Sequence, residues 1–134
     1  MKKESNGKQL LKSQENMKTI ICDIDGTLLF HYGTQKMQLT KEPKIIQGTL
    51  EKLHEWDKLG YGLILITGRR EGGRATTENQ LRELGISYDH LIMGVGRGTR
   101  VLINDFKEKS NNPTAIAINL KRNSGISNIE VRLR

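Results

Sequence analysis

At 134 residues and 35% hydrophobic content the chain can bury one compact core and is short for two domains. Its single cysteine, Cys22, excludes an internal disulfide and a multi-cysteine zinc site and fits a reducing cytoplasm, while no run of ~18 apolar residues offers a membrane-spanning helix. The formal charge of +7 suggests an anionic partner, yet most of the excess lies in residues 1–16 and 121–134, which weakens the case for a broad nucleic-acid face.

Residues 1–16 are polar, without aromatic residues and with one apolar pair, Leu10 and Leu11. They read as a disordered basic extension, or alternatively a short basic recognition arm, with a single domain over residues 17–134. The stretch lacks the apolar region of a secretory signal. Next comes TIICDIDGTLLF, Thr19 to Phe30: a β-branched run that ends in Asp23 and Asp25 and is stopped by Gly26 and Thr27, the pattern of a buried strand entering a tight turn. Two carboxylates so close repel unless a cation lies between them or one takes a proton, and oxygen ligands of this kind suit Mg²⁺. The bland reading is a solvated turn.

The following segment, FHYGTQKMQLTKEP, reads as a β-hairpin, either an ordinary surface hairpin or a flap that brings His31 and Tyr32 to a substrate. Pro43 is expected to open a helix to about Leu59, with Ile46, Leu50, Leu53 and Trp56 facing the sheet and Gly60 as its stop. Tyr61 to Thr67, containing LILIT, suits a parallel strand covered on both faces, and ends in Thr67, Gly68, Arg69 and Arg70. A guanidinium here is placed to grip phosphate, or to pair with Glu71 on the surface. A helix from Arg74 to Leu84 and a strand from His90 to Met93 follow, then the Gly-rich run GVGRGTR, which fails the spacing of a nucleotide-binding loop. Val101 to Ile103 reads as a strand ending in Asn104 and Asp105, Thr114 to Asn119 as the last core strand, and the remainder as a short strand or tail.

Strands alternating with helices through short connections predict an α/β, three-layer Rossmann-like domain with a mainly parallel central sheet and no large cap. Asp23, Asp25, Thr67 and Asp105 all fall at carboxyl ends of strands, where such sheets bind ligands. The motifs D-x-D-G-T, strand-T-G and strand-N-D resemble those of the haloacid-dehalogenase-like (HAD) superfamily of phosphohydrolases over roughly Lys18 to Leu120, in the small capless form associated with capsule or surface-sugar biosynthesis. The resemblance implies Asp23 as nucleophile, Asp25 as general acid and base, Thr27 as a phosphatase signature, Thr67 as a phosphoryl-binding hydroxyl, and Gly68 and Arg69 beside the phosphate. It also implies Mg²⁺ held by Asp23, Asp25 and Asp105. The family's motif lysine is absent between Asp89 and Asn104; Arg97 is the first candidate to replace it and Arg100 the second, although a planar fork differs from a point charge.

The implied activity is Mg²⁺-dependent phosphomonoester hydrolysis through an aspartyl-phosphate, on a sugar phosphate or other small phosphometabolite. A nucleic-acid-end phosphatase is the rival enzyme. A phosphosugar or phosphoprotein binding module with weakened catalysis is the non-enzymatic rival, because fold alone does not establish activity.

Overall fold

A computed structural model describes residues 18–109 and 113–131; the extension expected over residues 1–16 lies outside them. Three strands, β1 (Thr19–Asp23), β2 (Gly62–Ile66) and β3 (His90–Ile92), form one all-parallel sheet in that order. Between β1 and β2 lie helices α1 (Gln35–Thr40) and α2 (Thr49–Lys58). A 3-10 turn (Glu71–Gly73) running into α3 (Arg74–Glu83) separates β2 from β3. Asp23 pairs with Ile66 and Ile66 with Ile92, so the carboxyl ends of the strands stand level and the loops leaving them share one edge. This is the expected α/β arrangement with a parallel sheet.

The core explains why these segments fold as they do. Leu65 from β2, Leu81 from α3, and Ile24 and Leu28 from the turn after β1 are fully enclosed, with Leu53 and Trp56 of α2 beside them. Each such side chain gains roughly 1.5–3 kcal/mol on leaving water. Among the described residues no helix is long and apolar enough to cross a membrane.

Four sequence-based expectations change. The hairpin is instead α1, because Thr34 caps it by accepting a bond from the Met37 amide (3.2 Å) and the residues that follow are good helix formers. Helix α2 starts at Thr49 rather than Pro43: Phe30 donates to the Lys44 carbonyl (2.7 Å) and Ile46 to that of Leu28 (2.9 Å), which holds the preceding residues extended.

The segments 101–103 and 114–119 are not strands, and Val101, Leu102 and Ile103 are exposed. Local bonds compete with a ladder here: Asn104 Nδ2 donates to the Thr114 carbonyl (3.2 Å), the Thr114 hydroxyl donates to the Asp105 carbonyl, and Pro113 has no amide hydrogen to offer. The outer edge of β1 therefore faces a cavity of about 850 Å³ lined by Ile21, Leu102, Ile116 and Ile118.

Residues 120–131 are no loose tail, since Ile126 and Val131 enter the core and Lys52 Nζ donates to the Ile129 carbonyl (3.1 Å). Gly125 has φ +87°, and a Cβ there would stand 2.7 Å from Ile46 Cγ2. That methyl is a stiff β-branch and cannot swing aside by itself. Gly125→Ala is expected to destabilise the fold by roughly 1–3 kcal/mol, read as a lower urea midpoint at unchanged slope.

Candidate active site

Asp23 is the last residue of β1, and the chain turns sharply after it. Gly26 takes φ +91°, its amide donates to the Leu29 carbonyl (2.7 Å), and the amides of Leu28 and Leu29 both donate to the Ile24 carbonyl (2.9 and 3.0 Å). This closed loop presents Asp23, Asp25 and Thr27 together. Thr27 Oγ1 donates to Asp23 Oδ2 at 3.4 Å, and Arg100 Nη1 reaches Asp23 Oδ1 at 3.4 Å. Partial burial, and then the charge of Asp25, push the Asp23 carboxyl above its ordinary range; Arg100, the Ile24 amide and Thr27 offset part of that.

Asp25 has a different environment. Arg69 Nε donates to its Oδ2 and Arg69 Nη2 to its Oδ1, both at 2.8 Å, a bidentate pair with the guanidinium only 1% exposed. Gln38 Nε2 of α1 adds a third bond to Oδ1 at 2.7 Å. The remaining edge of Arg69 is also filled, since Nη1 donates to Thr77 Oγ1 (3.0 Å) and Gln80 Oε1 (2.6 Å) on α3. Gln80 Nε2 closes the circuit on the Gln38 carbonyl (3.0 Å).

This corrects the expectation that Arg69 grips phosphate: its fork is spent on Asp25 inside the protein. It also leaves the Asp25 carboxylate largely occupied by donors from the protein. A carboxylate offers about four lone-pair sites, and these three donors fill three of them, leaving one on Oδ2 for a proton.

Gln38, Thr77 and Gln80 were not singled out from the sequence. A signal existed: Thr77 and Gln80 share one helical stripe with Leu81 and Leu84, and polar residues on a buried face need a partner.

Thr67 stands just past β2, buried, with its hydroxyl oxygen accepting the Arg69 amide at 3.1 Å. Gly68 lies beside it, its carbonyl accepting Gln35 Nε2 (2.7 Å); a Cβ on it would come 3.2 Å from the Val95 carbonyl oxygen. Of the two candidate replacements for the motif lysine, Arg100 is the one brought to Asp23. Arg97, the first choice from sequence, is exposed on the Gly-rich loop and makes no side-chain hydrogen bond or ion pair among the described residues.

Asp105 is exposed and lines the same cavity as Asp23 and Thr27. No three His, Cys, Asp or Glu side chains converge on an ion-sized point among the described residues. Tyr32 donates its hydroxyl to the Glu42 carbonyl (2.7 Å) and packs edge-on against Phe30, so it is occupied structurally. His31 Nδ1 is shut from solvent with no hydrogen-bond partner among the described residues. Cys22 is no rival nucleophile, because burial and then Asp23 push its thiol up to about 12 and keep it protonated at neutral pH.

Residues 2–117 match the family model for HAD superfamily, subfamily IIIB (acid phosphatase). The chain belongs to that family. The level strand ends leave Asp23 at the carboxyl edge of the parallel sheet. No curated protein matches the chain.

Among solved structures, a chain of the Pnkp1/Rnl/Hen1 complex is 27% identical with a TM-score of 0.52, over 63% of this chain and 31% of that one. A chain of the Pnkp1/Rnl/Hen1 RNA repair complex is 26% identical with a TM-score of 0.51, over 69% and 29%. This chain therefore spans about a third of the length of those two.

Proposed function

We propose that this chain hydrolyses phosphomonoesters through an aspartyl-phosphate on Asp23, with Mg²⁺ as cofactor. The observation that carries the reading is the contrast between the two aspartates. Asp23 keeps a half-exposed carboxylate at the cavity, whereas Asp25, two residues on, is held rigidly with one lone pair left over.

In the first step Asp23 Oδ attacks phosphorus, the bond from phosphorus to the ester oxygen breaks, and the leaving oxygen takes the proton that Asp25 Oδ2, a carboxylate in the free site, picks up as the phosphate binds. In the second, water attacks phosphorus while Asp25 takes its proton, and the bond to Asp23 breaks to release inorganic phosphate. Thr67 and Arg100 would hold the phosphoryl oxygens, Thr67 as a hydroxyl donor and Arg100 as the cation in place of the motif lysine. Thr27 would keep Asp23 aimed, and Gly68, without a side chain, lets the Val95 carbonyl approach the end of β2.

The donor set fits Mg²⁺, which is commonly bound by one or two carboxylates while keeping its waters. Asp23 and Asp105 line one cavity and would supply hard oxygen ligands there. An anion raised above its usual range by burial and by a like-charged neighbour is also one that a cation relieves. When bound, the ion withdraws charge from the phosphoryl oxygens. Hydrolysis of p-nitrophenyl phosphate is expected to stop on chelation and return when Mg²⁺ is restored. Turnover that persists in excess chelator would remove the metal from this reading.

For the substrate, a small phosphometabolite such as a sugar phosphate suits a domain without a large cap. A nucleic-acid end is the second reading, favoured by the two solved neighbours above 25% identity, one of them in an RNA repair complex.

A further inference from the structure

Three arginines surround the loop that bears the aspartates, and they differ in what they already hold. Arg69 is committed to Asp25 and Arg100 to Asp23. Arg122 is exposed, and its side chain makes no hydrogen bond or ion pair among the described residues. Yet it is not remote: from the position a Cβ on Gly26 would take, Arg122 Cγ lies 3.3 Å away and Nε 3.8 Å away. Its stem is laid across the catalytic loop while its head-group faces water.

The backbone that carries it is fixed to the same loop. Asn123 donates its amide to the Gly26 carbonyl (2.7 Å) and accepts the His31 amide on its side-chain oxygen (2.8 Å). Asn123 holds φ +66°, and Ser124 closes the turn by donating its amide (3.1 Å) and hydroxyl (2.6 Å) to the Lys121 carbonyl. Gly125 and Ile126 then seat the turn against Ile46 and the core. Charge that the sequence assigned to a terminal region is thus placed against the loop that carries the aspartates. It also lies beyond residue 117, where the family match ends.

We propose that Arg122 is a specificity residue that receives a second phosphate on the substrate, one beyond the phosphate being hydrolysed. This rests on the hydrolase reading above. The scissile group belongs at Asp23, where Arg100 already supplies a cation; Arg122 sits at Gly26, further along the loop, without contact to that carboxylate. A guanidinium is suited to two-point recognition of phosphate oxygens, and exposed Lys121 beside it adds to the positive field. Such a second phosphate occurs in a nucleic-acid strand next to its terminal phosphate, and in small bisphosphorylated metabolites.

The test compares kcat/KM on adenosine 3′-monophosphate, adenosine 3′,5′-bisphosphate and a 3′-phosphorylated oligoribonucleotide. Wild type is expected to prefer a doubly phosphorylated probe, and Arg122→Ala to lower that preference relative to the monophosphate by roughly tenfold, with Arg122→Lys restoring part of it. Loss of preference on the oligonucleotide alone identifies a strand as the source, and loss on the bisphosphate alone a small metabolite; either supports the proposal. Equal loss on all three probes, as a merely structural residue would give, overturns it, as does an unchanged preference.

Binding of the same probes to Asp23→Asn protein, measured by calorimetry at low salt, keeps the question separate from turnover. If wild type hydrolyses nothing, the hydrolase reading fails. Arg122→Ala must still weaken binding of a doubly phosphorylated probe more than binding of the monophosphate, or the present proposal fails too.

Discussion

Asp23→Asn is expected to lower turnover of p-nitrophenyl phosphate by roughly 10⁴-fold or more, the scale seen when a nucleophile is removed from an otherwise intact site. The amide keeps the shape and the bond from Thr27 but cannot form the acyl phosphate. Stability should not follow activity downward. Burial raises the Asp23 carboxyl above its unfolded value, so the folded protein holds that proton more tightly than the unfolded chain. The contribution of Asp23 to stability is present at low pH and is lost as pH rises through the raised value. At neutral pH the ionised group opposes folding, and Asn removes that opposition. A variant with unchanged or higher Tm and no turnover fits; one that keeps normal turnover removes Asp23 as nucleophile.

The second large effect belongs to Arg69. Arg69→Met preserves volume but leaves the Asp25 carboxylate, 13% exposed, without its cation, and Thr77 and Gln80 without the guanidinium donor they accept from. Removing one partner of a buried pair typically costs about 3–5 kcal/mol, because the charge left behind is uncompensated. Against a domain stability of roughly 5–15 kcal/mol that is a large share, visible as a fall in Tm and in the urea midpoint. Arg69→Lys should rescue little, since one ammonium cannot supply the parallel Nε and Nη2 bonds. Adding Asp25→Asn to Arg69→Met should recover stability and not activity. Arg69→Met with wild-type stability would show that Gln38 holds Asp25 unaided.

This role explains where the sequence was readable and where it was not. Strands β1 and β2 and helix α3 were legible nearly to the residue, because β-branched runs stopped by Gly and a 3.6-residue stripe are local signals. Placement of Asp23 and Thr67 followed from those strand ends. Arg69 was misread because any guanidinium after Thr-Gly resembles a phosphate clamp; only burial, a property of the fold, reveals that it points inward. Helix α1 was hidden by Gly33 and by a weak apolar pattern that an N-cap at Thr34 outweighs. The segments 101–103 and 114–119 have strand composition, yet a ladder needs a partner, and the bonds between Asn104, Asp105 and Thr114 compete with one. Arg122 was counted as tail charge because nothing local ties it to Gly26.

That last contact sets the order in which a new molecule becomes competent. His31 and Asn123 are 92 positions apart, so the loop carrying the aspartates leaves the ribosome long before the turn that braces it. Such distant closure is slow relative to local helix formation. A nascent chain halted before Asn123 would carry every aspartate and threonine of the proposed reaction and still lack the bracket that holds their loop in shape, so the proposed activity would wait until synthesis has passed that point.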